Sequence, residues 1–294
     1  MNINIRYYVL TIAAIFMALG IGIFIGFMLD GQKAFSIQQD TIINQLEQKF
    51  KDIQSENSNL KNNVQNLTKE KDILNQYGKI VFPILVSKKL EGVKVAIIET
   101  NNDFICSGMI NALTKAGASI NSITIFNNNI NNLSDADKKD LSNYLSKYGT
   151  VDSKNITDFL SAKLSNAIVT GQDNDLITYL KDKGYINFNG VSGNTDFVII
   201  VGGSNNKDNN LNIIDIPIIK QIKTLNIPIV GVEPSDVKYS YVETYKKQRL
   251  STVDNIDNIV GQTALIMVMQ GKEGHYGVKP GDSALMPDSF ANTP

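Results

Sequence analysis

Tyr7–Leu29 reads YYVLTIAAIFMALGIGIFIGFML, an apolar stretch without a charged residue. At ~1.5 Å rise per helical residue, these about 23 residues span roughly 34 Å, enough to cross the hydrocarbon core of a bilayer. A buried core helix would be shorter and would carry polar residues on one face. Almost directly behind it runs an unbroken heptad repeat, Ile43 to Leu74. Together the two segments predict a membrane anchor followed by a rod that cannot stand alone.

Only Arg6 and the α-amino group flank the span on its N-terminal side, whereas Asp30, Lys33 and Asp40 follow it and nearly cancel. Positive charge is retained in the cytoplasm. The expectation is therefore a cytoplasmic tail over residues 1–6, a single-pass transmembrane helix over 7–29, and an extracytoplasmic remainder at the cell membrane. The competing reading is a cleaved signal peptide. Its apolar region would be ~7–15 residues with a small-residue cleavage site, and Asp30-Gly31-Gln32-Lys33 offers none. Ala14, Ala18, Gly22 and Gly26 recur every four residues as a helix-packing stripe, along which two helices can approach closely in lipid. Glycine is common in membrane helices in any case. The span carries no charge that would serve a pore or an ion relay.

The heptads place Ile43, Phe50, Asn57, Val64 and Lys71 at a positions, and Leu46, Ile53, Leu60, Leu67 and Leu74 at d positions. Leucine at d with β-branched residues at some a positions favours two parallel strands, and a polar Asn at one a position fixes register. A coiled coil over 36–76 forming a parallel homodimer is expected. The alternative is a long amphipathic helix lying on its own globular domain, which would show an apolar face wider than this two-in-seven seam.

The chain has 294 residues and a net charge of −1, so no basic surface points to nucleic acid or anionic lipid. With a single cysteine, no intrachain disulfide can form. From about residue 81 to 270 there is length for one extracytoplasmic α/β domain with a substantial interior. Short apolar runs, Val93–Ile98, Ser119–Phe126, Asp196–Val201 and Pro228–Val232, read as strands. They alternate with helical stretches, Phe104–Lys115, Ser134–Lys183 broken at Gly149 and Gly171, Ile213–Leu225 and Ile256–Met269. Gly78 and Pro83 punctuate the end of the rod. The alternation argues for a Rossmann-like or flavodoxin-like layered domain with a parallel sheet covered on both faces. Residues 271–294 are too rich in glycine and proline for a regular helix and read as a C-terminal surface segment.

In such sheets ligands sit beyond the carboxyl ends of the strands. A candidate ligand crevice there comprises Glu99, Asn101, Gly202, Gly203, Ser204 and Glu233. No G-x-G-x-x-G follows the first strand and no P-loop occurs, so nucleotide binding has no motif behind it. Gly202-Gly203 reads either as close backbone approach to a ligand or as a tight strand-to-helix turn. The only histidine, His275, sits in Gly274-His275-Tyr276-Gly277, and no G-x-S-x-G elbow exists to partner it. Asp254 and Asp257 fall where the last helix begins, where aspartates cap free N–H groups. No catalytic residue is assigned, and a non-enzymatic protein is expected. Cysteine, methionine and histidine are the ligands copper(I) and copper favour. Cys106, Met109 and His275 are thus the candidate metal residues, with Cys106 and Met109 on one helix face. A lone buried cysteine is also an ordinary core residue.

Several local patterns coincide with a known family. Ile5-Arg6-Tyr7-Tyr8 leads into Ala14, Ala18-Leu19-Gly20-Ile21-Gly22 and Gly26, with the coiled coil directly behind. Val253-Asp254-Asn255, Gly261-Gln262-Thr263-Ala264-Leu265, Gly274-His275-Tyr276-Gly277-Val278 and Met286-Pro287 follow. Over nearly its full length the chain resembles the MctB copper-transport family. The resemblance implies copper transport or copper tolerance, with a mycobacterial member as an outer-membrane channel; no cofactor is required and copper enters by resemblance alone. The sequence departs from a channel, having one apolar helix and no series of roughly ten-residue alternating strands bounded by aromatics. A related septation-linked envelope protein implies a second use of the same architecture, a dimeric coiled-coil scaffold engaging an envelope protein partner in cell-wall remodelling. A third is a membrane-anchored sensor binding a small ligand at the strand ends.

Overall fold

A computed structural model describes residues 5–104, 107–152, 155–207 and 210–290, with side chains apart from those of 5, 30–38 and 40. The chain divides into two compact units, Met1–Leu74 and Asn75–Pro294. Helix α1, Ile5–Val86, supplies all the described structure of the first unit and the opening of the second. Within it Arg6–Leu29 is long and apolar enough to cross a membrane. The heptad residues Ile43, Leu46, Phe50, Ile53, Leu60, Val64, Leu67 and Leu74 are all more than half exposed. In the single chain these apolar side chains face outward along the helix.

The helix does not stop at Gly78 or Pro83, as the sequence reading has it, but continues through both to Val86. Proline at position 83 forfeits one N–H late in the helix. Burial of Phe82 and Val86 in the core of the second unit outweighs that loss, and the Pro83 carbonyl accepts the N–H of Ser87 at 3.1 Å. Gly78 is half-buried beside Ile259, whose Cδ1 would lie 3.1 Å from an added Cβ.

The second unit then alternates strands and helices. β1 is Lys94–Glu99, α2 Ser107–Lys115, β2 Ser119–Phe126, α3 Asp135–Leu145, α4 Ile156–Thr170 and α5 Asn174–Asp182. β3 is Ile186–Gly190, β4 Phe197–Val201, α6 Ile216–Thr224 and β5 Ile229–Val232. α7 Val242–Lys247, β6 Ser251–Val253, α8 Ile259–Met269 and β7 His275–Tyr276 complete it. Local chemistry sets several boundaries. Ser134 and Asp137 form a reciprocal capping box on α3, Gly171 ends α4 at φ +75°, and Pro217 occupies the first turn of α6.

The seven strands form one open sheet in the order β3-β2-β1-β4-β5-β6-β7. All neighbours are parallel except β2 and β3, which pair antiparallel from Ser122–Gly190 to Phe126–Ile186. The all-parallel expectation is therefore corrected at this edge. β3 has one buried residue, Ile186, followed by Asn187, Phe188, Asn189 and Gly190, so it carries no apolar run to announce it. β6, β7 and α7 are likewise absent from the sequence reading because they are too short for a periodic pattern. The parallel strands reverse their winding direction once, between β1 and β4.

Alternation along the strands builds two cores. Ala96 and Ile98 of β1 with Val198 and Ile200 of β4 face α4, α6 and Tyr245. Val95, Ile97, Ile199 and Val201 face Phe82, Val86, α2 and α8 on the other side. The strands are buried on both faces, as crossover helices require.

Candidate functional site

Beyond the carboxyl ends of β2, β1 and β4, at the reversal of the winding, lies a crevice of about 680 Å³. Asp103, Asn128, Asn131, Asn132, Lys207 and Ile213 line it. Each polar residue sits just past a strand, Asp103 after β1, the asparagines after β2 and Lys207 after β4. The Asp103 carboxylate accepts the hydroxyl of Ser204 at 3.1 Å and the N–H of Asn205 at 2.9 Å, which joins the β1 and β4 loops. The Oδ1 atom of Asn131 is buried without a hydrogen-bond partner among the described residues. Such a lining can hydrogen-bond a small polar molecule.

The candidate crevice residues from the sequence take other positions. Glu99, Asn101, Ser204 and Glu233 are buried at the strand ends, none of them lining the open crevice. Asn101 donates its amide to the Gly203 carbonyl and accepts the N–H of Asp103 at 3.0 Å. Ser204 exchanges two backbone bonds with Tyr239, at 3.0 and 2.8 Å. Gly202 leaves room for Tyr245, whose Oη would lie 2.0 Å from an added Cβ, and Gly203 holds φ +79° against Val237. The sequence signal for the crevice lining was the polar run Asn127–Asn132 and Asp103 itself. Lys207 carried no pattern of its own.

At the β5, β6 and β7 ends the C-terminal segment lies across the sheet as a strap. Ser283 donates its N–H to the His275 carbonyl at 2.8 Å, Gly277 to that of Ala284 at 3.1 Å, and Met286 and Phe290 pack on the core. Carboxylates hold it down. The buried Asp254 accepts the N–H groups of Val278 at 2.7 Å and Lys279 at 2.9 Å. An added Cβ on Gly277 would lie 1.7 Å from Asp254 Oδ1. Glu233, fully buried, accepts Ser240 Oγ at 2.5 Å, the Tyr241 N–H at 2.9 Å and the Lys279 ammonium. Burial, then the neighbouring Asp254, push the Asp282 carboxyl up to about 6, against the pull of Lys246 at 3.3 Å.

This corrects the capping expectation. Helix α8 starts three residues later than the sequence suggests, and Asn258 caps it by accepting the Gly261 N–H at 3.0 Å. Asp254 holds the strap instead, and Asp257 accepts the N–H and hydroxyl of Ser235 at 2.7 and 2.8 Å.

Of the candidate metal residues, Cys106 lies outside the described residues. Met109 is buried in the apolar layer under α2. His275 is half-buried on edge strand β7, its Nδ1 3.1 Å from Thr252 Oγ1. Burial, then Lys246, hold its pKa below the usual value, which favours the neutral ring that ligates metal. Among the described residues no cluster of three or more His, Cys, Asp or Glu could hold a metal ion. Ala14, Ala18, Gly22 and Gly26 all face outward, with nothing within 4 Å of either glycine.

A family model described as "Copper transport outer membrane protein, MctB" matches residues 2–287. The chain belongs to the MctB family. No curated protein and no solved structure matches it. Membership covers the apolar helix, the heptads, the α/β unit and the strap up to Met286-Pro287. In this MctB chain the longest strand among the described residues, Ser119–Phe126, has 8 residues and lies in a sheet covered by helices. Membrane-spanning strands run to about 9–11 residues and close into a barrel. The described element suited to a bilayer is the apolar part of α1.

Proposed function

We propose that this MctB-family chain serves copper transport or copper tolerance as a single-pass envelope protein, with its α/β unit outside the cytoplasm. It works as a parallel homodimer joined by the heptads and performs no catalysis itself. The observation that carries the copper reading is the family match over residues 2–287. Copper is cargo in this reading. The exposed heptad residues support the dimer: Leu46, Phe50, Val64 and Leu67 are 61–70% exposed on a stretch of helix rich in Asn, Gln, Lys and Glu. Pairing removes that surface from water at roughly 1.5–3 kcal/mol per fully buried side chain.

The same seam favours a second reading, a dimeric scaffold that presents its α/β unit to a cell-wall remodelling or septation protein. One experiment separates the two. A deletion strain is complemented with wild type or with Leu60→Asn/Leu67→Asn, and copper sensitivity, septation and oligomeric state are measured. Copper sensitivity cured by wild type and not by the variant is expected. Normal copper tolerance with defective septation would replace the copper reading by the scaffold. Full rescue by a monomeric variant would remove the dimer from both.

A further inference from the structure

The last turns of α1, inside the second unit, are apolar on two sides. Phe82 and Val86 are buried in the unit's own core, at 5% and 0% exposure. Tyr77, Ile80 and Ile84 are 65%, 68% and 74% exposed. These three recur at spacings of three and four and therefore share one helix face. Surface helices ordinarily place polar residues there.

The sequence register says what this face follows. The seam ends at Leu74, and its strict continuation would use Gly78, Val81 and Leu85. Gly78 is given to the unit's own core, against Ile259. Three-residue steps from Leu74 to Tyr77 and on to Ile80, then four to Ile84, lead the exposed apolar line onto a shifted face. Insertions of three or four residues in the heptad pattern locally overwind or unwind a coiled coil and so shift its seam. The shift turns the apolar line away from the flank the α/β unit already covers.

We infer that Tyr77, Ile80 and Ile84 form a pairing surface for the same residues of a second copy of this chain, carrying the dimer contact from the rod onto the α/β unit. This rests on the dimer proposed above. The size of the face argues for that occupant. Three side chains offer at most a few hundred Å², well below the ~800 Å² per partner of a stable interface. The face cannot recruit a free partner. It suits one already delivered at high effective concentration by tether and rod. In a parallel, in-register homodimer each position meets its own copy, so a second copy brings the same apolar stripe to the same height.

The test is oxidative crosslinking of the full chain in native membranes, with Cys106→Ser as background. Leu67→Cys reports the rod, Ile84→Cys the proposed face, and Lys79→Cys an exposed site off it. Self-crosslinked dimer at Leu67→Cys and Ile84→Cys, at least tenfold above Lys79→Cys, is expected. Tyr77→Ser/Ile80→Ser should cut the Ile84→Cys yield several-fold and leave the Leu67→Cys yield unchanged. Crosslinking at Leu67→Cys with none above Lys79→Cys at Ile84→Cys overturns the inference and spares the rod. A crosslink from Ile84→Cys only to another protein also overturns it. Loss at both positions removes the dimer reading along with it.

Discussion

At the scale of single residues, the second unit depends on charges buried where water cannot screen them. Glu233 has no exposed surface, and its carboxylate is balanced by the Lys279 ammonium and bonds from Ser240 and Tyr241. Removing one partner of a buried pair costs more than the pair contributes, because a charge is stranded. Lys279→Met is expected to destabilise the unit by about 3–5 kcal/mol in denaturant unfolding of the detergent-solubilised chain. Adding Glu233→Gln should recover much of that. Tyr245 and Asp215 form a similar fully buried contact on the other face. Tyr245→Phe removes one donor to Asp215 and should cost about 1–3 kcal/mol.

At the scale of elements, the strap is the part whose stability follows pH. Asp282 titrates at about 6 when folded, against an ordinary 3.8, because burial and then Asp254 disfavour its charged form. The folded state therefore holds this proton more tightly than the unfolded chain. Its contribution is complete below about pH 3.8 and is lost as pH rises through about 6. Asp282→Asn keeps the neutral form at all pH. Its melting temperature, relative to wild type, should improve from pH 4.5 to pH 7.5. A difference that stays constant over that window would show that Asp282 does not titrate there. The strap was hard to read because its anchors are distant. Asp254 and Lys279 are 25 positions apart, and nothing in Gly274–Val278 marks it as an edge strand. Elements with an apolar period were legible: β2 is observed over Ser119–Phe126, the span its sequence suggests. β3 and β6 were not, having too few apolar residues to distinguish a strand from a loop.

At the scale of the whole molecule, an apolar helix of membrane length and a layered α/β unit are joined in a chain whose family is a copper-transport family. The anchor predicts a simple fractionation result. The full chain should remain in membranes through an alkaline carbonate wash, whereas a chain beginning at Gly31 should be released. Release of the full chain would show that Arg6–Leu29 does not span. The heptads and the apolar helix were legible because each repeats a local rule many times over. The candidate site was not, since it depends on which loops the sheet order brings together.

By itself, the sequence determined the membrane-length apolar helix, the heptad spacing of apolar residues and the alternation of strands with helices. These are local periodicities, fixed by the 3.6-residue turn of a helix and the two-residue repeat of a strand. Only the tertiary structure decided the antiparallel edge, the passage of α1 through Pro83, and the conversion of Asp254 from a presumed helix cap into the anchor of the strap. Each is settled by burial of groups far apart in the chain, where the cost of an unpaired charge or an unfilled core exceeds any local preference.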